Sequence, residues 1–150
     1  LIGDDPILEK SKNLMPSIIK VAMGLKNNVE VYGDDYDTKD GTGIRDYIHV
    51  MDLADAHVKS LNYLDKFSGI DIFNLGTGRA QTFNDIANAV IAWHGKGKLE
   101  YIPFPDHLKG RYQSFTQADI SKLREAGYDA EFSTVEEGVK HYLDRINHDK

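Results

Sequence analysis

Apolar residues recur at helical spacing along much of the chain, and this pattern predicts five helices. The predicted helices span residues 13–25, 52–64, 82–93, 119–126 and 134–147. Four of them open on a residue that can cap a helix, namely Asn13, Asp52, Thr82 or Thr134. Glu137 follows Thr134 at the spacing of a capping box. The predicted inner face of the second helix contains Leu53, His57, Leu61 and Leu64.

Short stretches rich in β-branched and aromatic residues alternate with these helices. They predict strands at residues 29–32, 47–50, 70–75 and 99–104. The last two strands and the helix between them form a unit of about thirty residues, the length expected when a helix joins two parallel strands. Residues 33–43 are rich in Asp and Gly and are predicted to form an irregular loop. The alternation of helices and strands predicts an α/β fold.

The composition is that of a globular chain sized for one domain, with 150 residues of which 41% are hydrophobic and 28% are charged. No stretch approaches the ~20 apolar residues that a membrane-spanning helix needs, so no membrane partner is expected. The chain has no cysteine, which excludes disulfides and thiolate zinc sites and predicts a reducing, cytoplasmic location. With 18 basic and 24 acidic residues the net charge is −6, which disfavours a nucleic acid partner. An anionic ligand would therefore be bound by a local group of basic residues.

Glycines follow the strand predicted at residues 70–75 and raise the question of a dinucleotide site. Gly76 and Gly78 match the first two glycines of a cofactor-binding turn, but Gln81 stands where the third is expected. A dinucleotide-binding turn and a tight structural turn both remain open, and the spacing favours the tight turn. We therefore predict no cofactor-binding residue in this chain.

Two groups of residues have the composition of a metal site without its spacing. In the acidic loop, Lys39 occupies a position at which a calcium loop needs an oxygen ligand, and the glycine at residue 41 comes one residue late. His49, Asp52 and His57 lack the spacing of a ligand pair, and His57 falls on the apolar side of a predicted helix. We predict a solvated loop, a partly buried histidine and no metal-binding residue.

Basic and aromatic residues stand together in two segments next to predicted strands. Arg45 precedes the strand predicted at residues 47–50, and the sequence Lys-Gly-Arg-Tyr at residues 109–112 follows the strand predicted at residues 99–104. An arginine fork matches the oxygens of a diphosphate, and a tyrosine beside it offers a hydroxyl and a stacking face. Loops at strand ends are where α/β folds bind ligands. The residues alone also leave open a solvated basic loop that offsets the surrounding acids.

Two long segments of the sequence resemble known enzyme families. The first runs from KNLMP at residues 12–16 to VYGDDYDTKDGTGIRDYIHVMDLA at residues 31–54, and it resembles UDP-glucose 4-epimerases. The second resembles ADP-glycero-manno-heptose 6-epimerases through IFNLGTGRA (72–80), EYIPFP (100–105), LKGRYQSFTQAD (108–119) and AGY (126–128). Both families are extended short-chain dehydrogenase/reductases. The apparent join between the two resemblances falls near residues 64–69.

The resemblance implies that residues 1–150 form a single small mixed α/β domain, the C-terminal substrate-binding segment of such an epimerase, with the Rossmann cofactor domain absent. By position in the motifs, Arg45 is implied to bind the diphosphate of a UDP-hexose or an ADP-heptose. Other motif positions are implied to contact the nucleotide or the sugar. The implied substrate-binding residues are Asn13, Leu14, Val29, Glu30, Val31, Tyr32, Arg45, Lys109, Arg111 and Tyr112.

Catalysis in this superfamily uses a tyrosine with a lysine four residues later and a Gly-x-x-Gly-x-x-Gly turn that binds NAD or NADP. None of the eight tyrosines of this chain has a lysine at that position, and the triple-glycine turn does not occur. The resemblance therefore implies no catalytic residue here, NAD or NADP in the full-length enzyme, and an upstream Rossmann domain as partner. The chain starts without methionine, as expected of a segment of a longer protein. A face left uncovered would favour self-association. The alternative is a free-standing nucleotide-sugar-binding or assembly module without enzyme activity.

Overall fold

The computed structural model describes residues 14–61, 63, 69–106, 110 and 112–148, with the side chains of residues 14–17 and 148 excepted. Within these residues there are five helices and four strands. The helices are α1 (Leu14–Ala22), α2 (Val50–Ser60), α3 (Phe83–His94), α4 (Ser121–Glu125) and α5 (Val135–His148). The strands are β1 (Asn28–Tyr32), β2 (Ile44–Asp46), β3 (Ala80–Thr82) and β4 (Lys98–Ile102). The α/β fold predicted from the sequence is confirmed.

The strands form two small sheets with different pairing. Strands β1 and β4 run parallel, from the pair Asn28 and Lys98 to the pair Tyr32 and Ile102. Strands β2 and β3 run antiparallel, with Arg45 opposite Gln81. The parallel pair places the carboxyl ends of β1 and β4 side by side, which is the edge at which α/β proteins bind ligands.

The main core lies between one face of the parallel pair and the helices α1, α3 and α5. Val29 and Val31 point into it with 3% and 4% of their surface exposed, while Glu30 and Tyr32 alternate to the opposite, exposed face. The most deeply buried side chains on the helices include Ile19, Val21, Ala87, Val90 and Leu143. This core fixes the positions of β1 and of the first turn of α3, which both border the site described below.

Local capping signals predicted two helix starts correctly. Thr82 accepts a hydrogen bond from the Asp85 backbone, and the Asp85 carboxylate accepts one from the Thr82 backbone, which forms the capping box of α3. The same reciprocal bonds join Thr134 and Glu137 ahead of α5. Both helices begin where the sequence predicts because their signals lie within four residues.

The strand predicted at residues 47–50 is wrong. The strand is instead β2, which ends at Asp46, and α2 begins at Val50. His49 caps α2 by accepting a hydrogen bond from the Met51 amide, so the predicted cap at Asp52 is also wrong. The Asp52 carboxylate accepts hydrogen bonds from the backbone and hydroxyl of Ser133 instead. Residues 44–46 form the strand because they pair with β3, a contact with a distant part of the chain that the local sequence pattern does not show.

The buried strand predicted at residues 70–75 is also wrong. This segment is irregular, and Ile70 and Ile72 are 98% and 78% exposed. Asp71 instead pairs with Lys122. A strand needs a neighbour with which to share backbone hydrogen bonds, and the described residues place none beside this segment.

Several predicted helix faces and ends are corrected as well. In α2 the buried residue is Ala56, whereas His57 and Leu61 are exposed. The predicted position of Leu64 lies outside the described residues, as does the apparent join over residues 64–68. Leu25, which the pattern places on the inner face of the first helix, is 59% exposed, because α1 ends at Ala22. The fourth helix begins at Ser121 instead of residue 119. Among the described helices, none has the length and apolar character needed to cross a membrane.

Candidate functional site

Arg45 lies on β2, a strand that is bonded along both edges. Strand β3 pairs with one edge, and residues 114–116 run along the other, where the Ile44 amide donates to the Ser114 carbonyl at 2.8 Å and the Thr116 amide donates to the Ile44 carbonyl at 3.1 Å. The guanidinium of Arg45 donates hydrogen bonds to two nearby backbone carbonyls. Its Nη1 donates to the Ile44 carbonyl at 2.7 Å, and its Nη2 donates to the Gln113 carbonyl. These bonds hold the charged group in one place.

Two aromatic rings flank the guanidinium of Arg45. Its Cζ lies 5.7 Å from the ring centroid of Phe83, in the first turn of α3, and 5.7 Å from that of Tyr112. Tyr112 in turn contacts Phe104 edge to face, with centroids 5.6 Å apart, and Phe104 contacts Tyr36 at 5.8 Å. We call Tyr36, Phe83, Phe104 and Tyr112 the aromatic group of Arg45. It offers flat apolar surfaces next to a positive charge, an arrangement that favours the guanidinium by cation–π attraction.

The charge of Arg45 lacks an acidic partner among the residues that the structure describes. The side chain is half-buried, and both of its hydrogen bonds go to neutral carbonyls. A positive charge that is partly removed from water is usually compensated by an anion. The arrangement can therefore accept an anionic group from a ligand.

Two tyrosine hydroxyls near Arg45 add neutral donors. Burial raises the pKa of Tyr36, although the positive charge of Arg45 opposes the shift. Burial also raises the pKa of Tyr47, again against the influence of Arg45. Both hydroxyls are buried, and neither has a hydrogen-bond partner in the described part of the chain. They stay protonated at neutral pH and can donate hydrogen bonds.

A cleft of about 440 Å³ opens at the carboxyl ends of β1 and β4. Phe104 lines it and also belongs to the aromatic group, so the cleft adjoins the surroundings of Arg45. Carboxylates repel phosphate but accept hydrogen bonds from hydroxyl groups, so these walls suit an uncharged, hydroxyl-bearing part of a ligand. The lining residues are Gly33, Asp34, Asp35, Pro103, Phe104, Pro105 and Asp106.

The structure brings together some of the predicted site residues. Arg45 and Tyr112, which come from distant parts of the sequence, are in contact. Glu30 and Tyr32 lie on the exposed face of β1, where Glu30 pairs with Lys26 at 2.9 Å. The side chains of Val29 and Val31 are in the core and are not accessible to a ligand.

The remaining predicted contacts lie beyond what the structure describes. Asn13, Lys109 and Arg111 fall outside the described residues, and of Leu14 only the backbone, at the start of α1, is described. The proposed contacts of these four residues therefore stay predictions.

Sequence reasoning missed the rings that complete the aromatic group. Phe83 falls in the predicted helix 82–93, Phe104 at the end of the predicted strand 99–104 and Tyr36 in the predicted loop 33–43, and no sequence pattern links the three. For Tyr36 and Phe104 the available signal was a large aromatic residue in a segment rich in Asp, Gly or Pro, since such a residue needs a packing partner. That signal indicates burial but does not name Arg45 as the neighbour.

In the glycine turn at residues 76–78, backbone amides are already hydrogen-bonded within the protein. The amides of Thr77 and Gly78, which would face a pyrophosphate in a cofactor-binding turn, donate to the carboxylate of Asp46 at 2.8 and 2.9 Å. This finding favours the tight structural turn over a dinucleotide site. Gly78 adopts a φ of +71°, a backbone conformation that glycine permits without strain.

The two histidines considered as metal ligands each use a ring nitrogen in a hydrogen bond within the protein. His49 Nδ1 accepts from the Met51 amide, and His57 Nδ1 bonds to the Leu53 carbonyl at 2.7 Å. His57 is exposed, so its predicted partial burial is wrong. The described residues contain no group of three or more acidic or histidine side chains suited to a metal ion.

Comparisons with known proteins find a family model and solved structures that this chain resembles. A sequence model described as the NAD dependent epimerase/dehydratase family matches residues 3–76. The UDP-glucose 4-epimerase of Bifidobacterium longum, solved with NAD+ and UDP, is 37% identical with a TM-score of 0.76, over 91% of this chain and 39% of that one. The UDP-glucose-4-epimerase of Stenotrophomonas maltophila, solved with NAD and formylated UDP-arabinopyranose, is 34% identical with a TM-score of 0.77, over 95% of this chain and 42% of that one.

A heptose epimerase shares the fold at lower identity. The ADP-L-glycero-D-manno-heptose-6-epimerase of Helicobacter pylori is 23% identical, with a TM-score of 0.68 over 93% of this chain and 39% of that one. This chain thus spans about two fifths of the length of the relatives. Both kinds of epimerase thus match more than nine tenths of this chain. The resemblance to nucleotide-sugar epimerases predicted from the sequence is confirmed over this part of their length.

Proposed function

We propose that this chain, which resembles nucleotide-sugar epimerases over part of their length, is the nucleotide-sugar-binding part of such an enzyme. In the proposal, Arg45 binds the diphosphate and Tyr112 contacts the ligand beside it. The observation that supports this role is the half-buried guanidinium of Arg45, fixed between two rings and facing no carboxylate among the described residues.

The chemistry of a diphosphate fits the surroundings of Arg45. A guanidinium fork donates to two phosphate oxygens at once, and such charge-assisted bonds are roughly twice as strong as neutral ones. Strand β2 is bonded on both edges, so the binding group is positioned before the ligand arrives. The net charge of −6 for the whole chain repels anions elsewhere and makes a local cation the point of attachment.

The cleft beside Phe104 is proposed to receive the hydroxyl-bearing part of the ligand. Asp34, Asp35 and Asp106 line it and can accept hydrogen bonds from sugar or ribose hydroxyls. We propose a UDP-hexose as the ligand and an ADP-heptose as the second choice. The choice is supported by the higher identity to the 4-epimerases and by the uridine nucleotides bound in two of them. Asn13, Leu14, Lys109 and Arg111 are proposed as further contacts, together with Glu30 and Tyr32.

The hydride chemistry is proposed to belong to a different region of a longer enzyme. In this proposal residues 1–150 form a single substrate-binding domain that works with an upstream Rossmann domain in the cytoplasm. NAD or NADP bound to that domain would oxidise and then reduce the sugar carbon. The residues of this chain bind and orient the nucleotide sugar and take no part in proton or hydride transfer.

Titration calorimetry of the chain with UDP and with ADP tests the proposal. UDP is expected to bind weakly and to bind more tightly than ADP, and Arg45→Ala is expected to abolish most of the affinity. Arg145→Ala is the matched control, because it removes the same charge from an exposed position on α5. The proposal fails if the folded chain binds no nucleotide, or if Arg45→Ala and Arg145→Ala lower the affinity equally.

A second measurement separates an enzyme segment from a free-standing binding module. The coding sequence ahead of Leu1 is read, and any Rossmann domain found there is expressed together with this chain. An enzyme segment predicts a glycine-rich turn, a Tyr-x-x-x-Lys sequence and epimerase activity in the joined protein. A free-standing module predicts the same binding of UDP and none of these three.

A further inference from the structure

The carboxylate of Asp46 accepts four hydrogen bonds from three residues, which lie in two segments of the sequence. Its Oδ1 accepts from the amide of Thr77 at 2.8 Å and from the Thr77 hydroxyl at 2.6 Å. Its Oδ2 accepts from the amide of Gly78 at 2.9 Å and from the amide of Ala118 at 3.1 Å. Each oxygen thus bonds two donors, and three of the four donors are backbone amides.

These donors belong to the two segments that supply the rings beside Arg45. Thr77 and Gly78 lead into β3, and β3 leads directly into Phe83 at the start of α3. Ala118 ends the segment that begins with Tyr112 and runs along β2. Asp46 therefore ties both ring-bearing segments to the residue that follows Arg45.

The surroundings of Asp46 leave no room for a ligand at its carboxylate. A Cβ built on Gly76 would lie 2.8 Å from Asp46 Oδ2 and 2.6 Å from the Ala118 Cβ, so the three residues are already in close contact. Thr77 is 7% exposed. Because side chains alternate along a strand, Asp46 and Arg45 point to opposite faces of β2. Asp46 can act on a ligand of Arg45 only through the backbone.

We propose that Asp46 is a positioning residue for the anion-binding site. Its four hydrogen bonds fix the segments of Phe83 and Tyr112 against β2, so that the two rings and the Gln113 carbonyl hold the Arg45 guanidinium in its observed orientation. The effect on nucleotide affinity rests on the function proposed above, whereas the effect on the orientation of Arg45 does not. A half-buried carboxylate with fully used acceptors is suited to this role, because groups around a binding site must be locked by their neighbours.

The substitution Asp46→Asn tests the role with little change in volume. Whichever way the amide is oriented, its NH2 group meets at least one backbone N–H donor where the wild type has an acceptor, so hydrogen bonds are lost. Thr77→Val acts less directly on Asp46, because it removes the hydroxyl donor, along with the bond that this hydroxyl accepts from the Arg79 amide, and leaves the three amide bonds to the carboxylate in place. Trp93→Phe is the control, since it removes a hydrogen bond from Trp93 Nε1 to Asp144, between α3 and α5.

The first readout needs no ligand. Nitrogen-15 NMR of the free chain follows the guanidinium protons of Arg45, with their signals assigned by comparison with Arg45→Lys. In the unmodified chain these signals are expected to be separate and shifted by ring currents from Phe83 and Tyr112. Asp46→Asn is expected to merge them with the signals of exposed arginines, Thr77→Val to have a smaller effect, and Trp93→Phe to leave them unchanged.

The second readout is the dissociation constant for UDP, which Asp46→Asn is expected to raise by about tenfold, equivalent to 1.4 kcal/mol. Unchanged Arg45 signals in Asp46→Asn, or in Thr77→Val should the first variant not fold, overturn the inference. Equal loss of the signals in Trp93→Phe overturns it as well, because the cause is then general destabilisation. If the unmodified chain binds no UDP while Asp46→Asn alone merges the Arg45 signals with those of exposed arginines, the proposed function fails and the positioning role stands. If UDP binds the unmodified chain and Asp46→Asn with equal affinity, the proposed effect of Asp46 on nucleotide binding is wrong.

Discussion

The guanidinium of Arg45 lies 5.7 Å from the ring of Tyr112, and the neighbouring Gln113 carbonyl accepts a hydrogen bond from the same guanidinium. The two residues come from distant parts of the sequence and meet because residues 114–116 run along β2. Tyr112 is half exposed, so a ligand bound at Arg45 would share its ring as a wall. The contact is made by the ring of Tyr112, so variants that remove the ring or only the hydroxyl distinguish the two contributions to ligand binding.

Replacement of Tyr112 is predicted to act through the loss of its ring. Tyr112→Leu removes the ring that flanks the Arg45 guanidinium and that would wall a bound ligand, and a two- to fivefold weaker affinity for UDP is expected, equivalent to about 0.5–1 kcal/mol. Tyr112→Phe retains the ring and is predicted to change the affinity by less than about twofold. Calorimetry of the two variants side by side checks this. A loss of affinity in Tyr112→Phe as large as that in Tyr112→Leu would assign the effect to the hydroxyl instead.

The starts of α3 and α5 and the strand β1 were predictable because their signals are local. The capping box of Thr82 and Asp85 lies within one turn, and the alternation of Val29, Glu30, Val31 and Tyr32 reports its own burial. The strand containing Arg45 was misplaced because its position depends on pairing with β3, far along the chain. Contacts of this kind leave no periodic pattern in either partner, so neither β2 nor the aromatic group could be read from the residues.

The segment at residues 70–75 illustrates the opposite error. Its apolar residues have the composition of a buried strand, yet Ile70 and Ile72 are exposed. Composition reports what a segment can do when a neighbour is present, and a sheet forms only when two segments share hydrogen bonds. The sequence pattern therefore predicted that this segment favours a strand, but it could not show that no neighbouring strand is available among the described residues.

Gly76→Ala is predicted to destabilise the fold by about 1–3 kcal/mol, the usual cost of an added methyl group in a filled site. The new Cβ would lie 2.6 Å from the Ala118 Cβ and 2.8 Å from Asp46 Oδ2, both closer than contact allows. Urea unfolding of the variant measures the loss. Adding Ala118→Gly removes the closer of the two contacts and is predicted to restore part of the stability. If the double variant is no more stable than Gly76→Ala alone, the steric explanation is wrong.

The combined substitution of Ile70→Ser and Ile72→Ser is predicted to reduce self-association without lowering stability. Both side chains are mostly exposed, and changes at such positions usually alter the free energy of unfolding by less than about 0.5 kcal/mol. Exposed apolar residues favour association in water. Sedimentation velocity over a range of concentrations compares the variant with the unmodified chain, and Val21→Ser, at a buried site, is the contrasting variant that should unfold. An unchanged degree of association in the double variant would exclude this patch as the contact.

Asp40 is predicted to make the stability of the chain depend on pH. Burial raises the pKa of Asp40, but hydrogen bonds from Thr82, Thr42 and Asn84 outweigh burial and lower the pKa below its ordinary value of roughly 3.9. The ionised carboxylate is therefore favoured by folding. Its contribution is fully present above the unfolded pKa, and it is lost as the pH falls through the folded pKa.

Asp40→Asn and Thr42→Val isolate this effect. The difference in the free energy of unfolding between the unmodified chain and Asp40→Asn is predicted to be constant above about pH 5 and to shrink as the pH falls below about 4. Thr42→Val removes the hydroxyl that donates to Asp40 Oδ1 at 2.8 Å, so the folded pKa should rise toward the unfolded value and the pH dependence should weaken. Urea unfolding from pH 2.5 to pH 6 measures all three proteins. A difference that grows toward low pH would mean that folding favours the protonated carboxyl, which the hydrogen bonds to Thr42 and Thr82 contradict.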